Sequence, residues 1–179
     1  LHRAAHYDSV TGLLNRHGLS LRLGQALAQA KAGGQTCAVL FIDIDKFKRV
    51  NDCFGHATGD QLLREMARLL QSLQGEHDLL ARFGSDEFIM VLPTRVGGAE
   101  PAVEYGQRIL HALGDGFQLS QQHITVSASI GVACFPADGE DADTLIRNAD
   151  IAMHDVKKTG RGELRYFNSA MSAYTRSVL

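Results

Sequence analysis

The sequence lacks any apolar run long enough to cross a bilayer, and it shows no signal peptide. We therefore expect a domain that makes no membrane contact. The formal net charge is only -2, which is not the positive charge typical of nucleic-acid-binding domains. The three cysteines, Cys37, Cys53 and Cys134, lie far apart without the paired spacing of a zinc site. Their isolation favours a reduced, cytoplasmic setting.

The composition that remains is typical of one globular domain. The chain has 179 residues, of which 45% are hydrophobic and 21% charged, and this length is sufficient to bury a core. It contains no internal repeat and no low-complexity segment. It begins at Leu1 rather than at methionine, so we expect it to be part of a longer protein.

The most informative stretch covers residues 37–60. An apolar run over residues 38–42 ends at Asp43 and Asp45, which predicts a buried strand that carries two carboxylates on one face at its end. Such a pair resists burial unless a cation neutralises it, and divalent ions prefer hard oxygen ligands. The pattern therefore indicates a metal site, although the same two acids would also suit the cap of the next helix.

A second stretch, residues 79–92, predicts two strands joined by a tight turn. Gly84 and Ser85 lie in the turn, and Asp86 and Glu87 follow it, so a further carboxylate can lie beside the first strand's end. The segments FIDIDKFKRVND and RFGSDEF together closely resemble the GGDEF family, the diguanylate cyclase domains that make cyclic di-GMP. The resemblance extends over residues 8–167, and Ser85 stands where the family's second glycine belongs.

The remaining periodicities alternate helices with strands. They predict helices over residues 46–54, 58–73 and 99–113. Two further helices are predicted, one that begins after a cap at Asn15 and one that begins after a cap at Asp141 or Asp143. The predicted strands are a second pair at 117–119 and 123–135 and a closing strand at 164–167. Alternation within 123–135 suggests a sheet covered mainly on one face. This order predicts an α+β domain with helices on a mainly antiparallel sheet. The resemblance implies the palm-like, ferredoxin-related fold of nucleotidyl cyclases.

The resemblance also divides the chain. It implies that residues 1–7 end an upstream connecting helix, that residues 8–167 form the catalytic domain, and that residues 168–179 form a helical tail or linker. In the family, a segment similar to DSVTGLLNR follows the helix from a sensor, so an upstream sensor is an expected partner. Tails of this kind often precede an EAL phosphodiesterase domain, which is the second expected partner.

The resemblance implies that two GTP molecules are condensed into cyclic di-GMP and two pyrophosphates in a two-fold dimer, one GTP on each protomer. The metal, Mg²⁺ or Mn²⁺, would be held by Asp43, the backbone carbonyl of Ile44 and Asp86. Asp86 would also act as general base for the 3′-hydroxyl. Glu87 would support these ligands, and Asp45 would either support them or orient Lys48.

Guanine recognition falls, by the same resemblance, to Asn51 and Asp60. An amide and a carboxylate match the donors and acceptor on the Watson–Crick edge of guanine, whereas adenine would leave the acid without donors. On pattern alone, Asn51 suits a helix-end cap equally well. Gly84 and Ser85 would lie against the substrate at the turn.

Lys48, Lys157 and Arg161 are the expected phosphate ligands. Lys157 and Arg161 are four residues apart in VKKTGRG, so we expect them on one face of the last helix. A basic helix end that complements the helix dipole is the alternative explanation. Gly162 replaces the family's asparagine, and His154 replaces its usual tyrosine in a packing or surface role.

Two further departures from the family pattern affect function. If the turn requires positive φ, Ser85 is strained by roughly 1 to 2 kcal/mol and its Cβ crowds the phosphates, which predicts weakened catalysis. The family's RxxD product-inhibition site retains Asp78, but Gly75 replaces the arginine, which predicts no effective feedback inhibition.

These residues support two hypotheses of different classes. The first is a diguanylate cyclase, because every expected metal, base and phosphate ligand is present. The second is a GTP-binding regulatory module with weak or no turnover that controls an attached EAL domain, which Ser85 and the tail favour. A purely structural domain would have no reason to keep Asp43, Asp60, Asp86, Lys157 and Arg161 together.

Overall fold

A five-stranded sheet with the order β2-β3-β1-β6-β7 forms the centre of the domain. The structure, a computed structural model, describes residues 2–94 and 100–171. The strands are β1 (Thr36–Ile44), β2 (Leu79–Arg82), β3 (Glu87–Thr94), β4 (Phe117–Leu119), β5 (Gln122–Ile124), β6 (Ala128–Phe135) and β7 (Leu164–Tyr166). The helices are α1 (His2–His6), α2 (Arg16–Ala32), α3 (Phe47–Phe54), α4 (His56–Leu73), α5 (Glu100–Leu113) and α6 (Ala142–Lys158). Asn15 and Asp141 cap α2 and α6 as predicted.

The strand β1 is central because it pairs antiparallel with both β3 and β6. Its alternate residues face two different cores. The even-numbered set, Ala38 to Ile44, packs against α3, α4 and α5, and the odd-numbered set, Cys37 to Phe41, packs against α2 and α6. Asp43 continues the odd-numbered set, so it emerges on the side of α6.

Close packing of α6 on β6 places the end of that helix near the end of β1. A Cβ atom on Gly131 of β6 would lie only 2.0 Å from the backbone oxygen of Ala149 and 2.3 Å from the nitrogen of Met153. The missing side chain therefore lets the helix approach the sheet. None of the helices in the described residues is both long and apolar enough to span a bilayer.

The α+β architecture with a mainly antiparallel sheet is confirmed, since only β7 pairs in parallel. The prediction of one strand over residues 123–135 is wrong. The chain leaves the small β4-β5 hairpin after Ile124 and enters the main sheet at Ala128, because the carbonyl of Ser127 accepts the N–H of Asp45 beyond the end of β1. The prediction of a sheet covered mainly on one face is also wrong, because helices cover both faces of β6.

Most of the turn predicted at residues 94–98 and most of the tail predicted at 168–179 lie outside the described residues. The remaining elements match their predicted positions to within a few residues. The short helix after β1, the long helix after it, the hairpin and the last helix are all present where periodicity placed them.

Candidate active site

Asp43 lies at the end of β1, where three elements meet. Its Cα is paired with Glu87 on β3 and with Ser129 on β6, and its carboxylate faces α6. The ammonium group of Lys157 lies 3.0 Å from Oδ2 of Asp43. The β1 acid and the basic end of α6 therefore lie together.

The environment of Asp43 disfavours its negative charge. Only 5% of the residue is exposed, and its Oδ1 atom is buried without a hydrogen-bond partner in the described part of the chain. Burial, followed by repulsion from Asp86, raises the pKa of Asp43 to about 7, while Lys157 opposes this rise. The site therefore contains an unsatisfied carboxylate oxygen, and Lys157 alone does not offset the cost of burying its charge.

The β2-β3 hairpin carries Asp86 to the same place. The N–H of Ile44 donates to the backbone oxygen of Asp86 at 3.1 Å, which ties the hairpin to the end of β1. The two carboxylates and the nearby Ile44 backbone are hard oxygen donors of the kind that Mg²⁺ and Mn²⁺ prefer. In residues 2–94 and 100–171, no three His, Cys, Asp or Glu side chains form a complete metal cage. Such a partial set suits Mg²⁺, which commonly takes one or two carboxylates and completes its shell with water and substrate phosphates.

The turn of this hairpin corrects the expectation of strain at Ser85. Ser85 is not among the non-glycine residues with positive φ, so it has no left-handed backbone cost. Its hydroxyl lies 3.3 Å from Oδ1 of Asp86 and donates to it. Gly84 is the sterically constrained position, because a Cβ atom there would lie 2.0 Å from Oε1 of Glu87.

Arg82 stabilises the hairpin turn through hydrogen bonds to its backbone. Its guanidinium donates to the backbone oxygens of Gly84 at 3.2 Å and Ser85 at 2.8 Å, and it forms an ion pair with Asp8 at 3.2 Å. Asp8 also accepts the N–H and hydroxyl of Thr11, each at 2.8 Å. The segment before α2 thus contacts the turn through one arginine, a link that sequence spacing alone did not predict.

Asp45 makes contacts that differ from those predicted. It accepts the hydroxyls of Ser127 at 2.5 Å and Ser129 at 2.6 Å, and the N–H of Gly162 at 3.2 Å. In the described residues it forms no ion pair with Lys48, which is exposed to solvent. The expectation that Asp45 orients Lys48 is therefore wrong, because the strand β6 and the segment after α6 use its oxygens.

Arg161 lies beyond the last helix and not on its face. The helix α6 ends at Lys158, and Arg161 has a φ of 67°, in the left-handed region. The one-face prediction is wrong because Thr159 and Gly160 end the helix first. Even so, the Arg161 guanidinium lies 4.0 Å from Asp45, beside a pocket of about 360 Å³ that Lys46 and Arg49 also line.

The side chain of Asn51 lies between α3 and α4. A Cβ atom on Gly59 of α4 would lie 1.8 Å from Oδ1 of Asn51, so the absence of a side chain at Gly59 makes room for the amide. Asp60 follows Gly59 directly and is half-buried. The two predicted guanine-binding residues thus lie on two consecutive helices, α3 and α4. Gly59 makes the space for the Asn51 side chain, a role that the sequence interpretation missed.

Glu87 and His154 extend the charged cluster along α6. Burial, then Asp150 and Asp86, raises the pKa of Glu87, while Arg16 and His154 lower it. The imidazole Nδ1 of His154 lies 3.0 Å from both the backbone oxygen and Oδ1 of Asp150, and Asp150 raises the pKa of His154. His154 is exposed, in agreement with the predicted surface role.

Both the sequence and the fold of the chain match known proteins. The family model described as "Diguanylate cyclase, GGDEF domain" matches residues 5–163. The chain belongs to the GGDEF domain family. This GGDEF domain is 42% identical over 169 residues to an uncharacterized signaling protein of Caulobacter vibrioides. It is 38% identical over 177 residues to MucR of Pseudomonas aeruginosa, a bifunctional diguanylate cyclase/cyclic di-GMP phosphodiesterase.

These alignments cover 93% and 98% of the GGDEF domain but only 21% and 25% of the two relatives. The chain therefore spans about a fifth to a quarter of the length of these proteins. A solved structure comprising only the GGDEF domain of TpbB from Pseudomonas aeruginosa matches with a TM-score of 0.91 and 35% identity. That match covers 96% of this chain and 99% of the other, which confirms the fold that the resemblance implied.

Proposed function

We propose that this GGDEF domain is a diguanylate cyclase that condenses two GTP molecules into cyclic di-GMP and two pyrophosphates. The observation that carries the proposal is the buried Oδ1 atom of Asp43, which has no hydrogen-bond partner in the described residues beside the Asp86 hairpin. A buried carboxylate of this kind is costly unless a cation binds it. Its position at the end of β1, next to Lys157, suits a metal-bound triphosphate.

In this proposal Asp43, the Ile44 carbonyl and Asp86 hold Mg²⁺ or Mn²⁺. A bound divalent ion neutralises phosphate charge and lowers the pKa of an attacking hydroxyl. Asp86 accepts the proton of the 3′-hydroxyl as that oxygen attacks the α-phosphate of the second GTP and pyrophosphate leaves. Asp45 and Glu87 keep the two metal-binding segments in place.

Lys157 changes partner when substrate binds. In the described structure its ammonium group neutralises Asp43, a charge that a divalent ion held by Asp43 would neutralise instead. The lysine then becomes available to the triphosphate, together with Lys48 and Arg161. Gly84 and Ser85 approach the substrate through the turn that Arg82 holds.

Asn51 and Asp60 select guanine over adenine. The carboxylate accepts from the guanine N1 and N2 donors, and the amide donates to O6. Adenine would leave the acid without donors in a partly buried site, a mismatch that commonly gives strong discrimination. We therefore expect GTP, and not ATP, to be the substrate.

The reaction requires two copies of the domain. The product is two-fold symmetric, so a homodimer in which each protomer presents one GTP is the simplest active assembly. Residues 8–167 form the catalytic unit in this proposal, with a sensor joined through residues 1–7 and an EAL domain joined through 168–179 in the full-length chain. The three free thiols suit a cytoplasmic location, where GTP is available.

A second candidate is a GTP-binding module that regulates an attached EAL domain without turnover. It is favoured by the relative MucR, a bifunctional protein that combines a diguanylate cyclase with a cyclic di-GMP phosphodiesterase. Both candidates use the residues assigned to guanine and phosphate binding. They differ in whether the α-phosphate of GTP is attacked, because only the cyclase forms a new bond there.

The experiment that tests the proposal is incubation of the domain with GTP and Mg²⁺, followed by chromatographic separation of nucleotides. We expect cyclic di-GMP in the parent, none in Asp86→Ala, and no dinucleotide when ATP replaces GTP. Saturable GTP binding with no product would instead support the regulatory module.

A further inference from the structure

Asp45 is a buried carboxylate that connects three parts of the chain. It is 4% exposed and follows the end of β1. It accepts hydrogen bonds from Ser127 and Ser129, at the start of β6, and from the N–H of Gly162, after α6. The bonds from the two serine hydroxyls, at 2.5 and 2.6 Å, have the short length typical of hydroxyls that donate to an ionised carboxylate.

The segment held by Asp45 has an unfavourable backbone. Arg161 and Gly162 have φ angles of 67° and 71°, both in the left-handed region. Glycine tolerates this conformation, but for Arg161 it costs roughly 1 to 2 kcal/mol. Such a conformation persists when surrounding contacts fix it. The bond between Gly162 and Asp45 is one such contact, and the Arg161 N–H donates to Val156 at 3.2 Å as another.

We infer that Ser127, Ser129 and Asp45 are positioning residues that hold Arg161 in this conformation so that its guanidinium meets the terminal phosphates of GTP. This inference rests on the proposed function, because it takes Arg161 as a triphosphate ligand. The three residues form the Asp45 bracket, which acts on the terminal phosphates through Arg161.

The geometry separates this role from the rest of the site. Asn51 and Gly59, on α3 and α4, contact each other on the opposite side of the sheet from α6. Loosening the Asp45 bracket should therefore weaken contacts to the β- and γ-phosphates while guanine recognition continues. A bracket with only a structural role would change stability and affect all guanine nucleotides equally.

The test compares the affinities of 3′-deoxy-GTP and 3′-deoxy-GMP by calorimetry with Mg²⁺ present, because neither ligand has the attacking hydroxyl. The variants are Ser127→Ala, Asp45→Asn, Arg161→Ala and the double variant of the last two. Ser120→Ala is the matched control, since it removes another exposed serine hydroxyl whose hydrogen bond, to Gln61 at 2.7 Å, lies away from Arg161. Ser127 is exposed, so its variant carries the test if Asp45→Asn folds poorly.

We expect Ser127→Ala and Asp45→Asn to weaken 3′-deoxy-GTP binding by about threefold and about tenfold, with less than about twofold change for 3′-deoxy-GMP. Asp45→Asn should add almost nothing in the Arg161→Ala background, because residues that act through one group are not additive. Equal losses for both ligands, or additive losses in the double variant, would overturn the inference. A parent domain that binds the triphosphate no better than the monophosphate would overturn the proposed function itself, and the inference with it.

Discussion

 Lys157 on α6 and Asp43 on β1 form an ion pair of 3.0 Å, although the two residues are 114 positions apart in the chain. The pair is mostly buried, with side-chain exposures of 22% for Lys157 and 7% for Asp43. Lys157 therefore supplies positive charge beside the Asp43 carboxylate. Burial and Asp86 both disfavour the negative charge of that carboxylate.

Replacing Lys157 by methionine should destabilise the metal-free domain. The change leaves Asp43 without its cation, which we expect to cost about 1 to 2 kcal/mol of unfolding free energy at pH 8. The loss should shrink at pH 6, where Asp43 is protonated. Urea unfolding measures both values, and Lys31→Met, an exposed lysine in the last turn of α2, is the control. An equal loss at both pH values would contradict this explanation.

Divalent-ion binding should strengthen as the pH rises towards 8. The pKa of Asp43 is raised to about 7, so below that pH a proton competes with the metal, and affinity should change by roughly tenfold per pH unit. The same shift means that the metal-free fold loses stability as the pH rises from the ordinary carboxyl range to about 7. Mn²⁺ binding followed by electron paramagnetic resonance checks this, and a flat affinity between pH 5.5 and 8 would count against it.

Gly59→Ala should impair guanine binding through Asn51. The new Cβ atom would lie 1.8 Å from Oδ1 of Asn51, so the amide must move, and we expect GTP affinity to fall by at least about tenfold. Gly24→Ala on α2 is the matched control, because a Cβ atom there meets nothing within 4 Å. Calorimetry measures both; unchanged GTP affinity in Gly59→Ala would show that Asn51 does not need its present position.

Ser85→Gly should not stabilise the domain. Ser85 has no left-handed φ to relieve, and glycine gives the unfolded chain more freedom, so we expect a loss of about 0.5 to 1 kcal/mol. Chemical unfolding provides the value. A gain of stability in Ser85→Gly would restore the idea that the serine strains the turn.

Feedback inhibition at the family's RxxD position should be absent. Gly75 offers no guanidinium, and Oδ2 of Asp78 accepts the Gly75 N–H at 2.7 Å within its own turn. Burial and the Asp78 carboxylate also raise the pKa of Tyr105, which contacts that acid. Titration with cyclic di-GMP should show no binding that depends on Asp78. Micromolar binding abolished by Asp78→Ala would refute the prediction.

Local patterns were sufficient to predict most of the fold. The apolar run before Asp43, the Asn15 and Asp141 caps and the α4 periodicity are each encoded within a few neighbouring residues, so the sequence carries them directly. The break between β5 and β6 was missed because it depends on Asp45, more than 80 residues earlier in the chain, which bonds to Ser127. Alternation alone does not reveal such a distant partner.

Some residues of the candidate site could be predicted from local motifs, and others could not. Asp43, Asp86 and Lys157 were predicted from their motifs, and the structure brings Lys157 to Asp43. Ser127, Ser129, Gly59 and Arg82 were missed, because a serine or glycine becomes informative only when its tertiary neighbour is known. The conformations of Ser85 and Arg161 also depend on bonds between distant segments.

The most direct measurement of the central claim is the rate of cyclic di-GMP formation from GTP and Mg²⁺ at increasing domain concentration. We expect two pyrophosphates per product, a specific activity that rises with protein concentration, and no product in Asp86→Ala. Intact GTP at every concentration, despite saturable GTP binding, would contradict the cyclase and leave the regulatory module as the function of this domain.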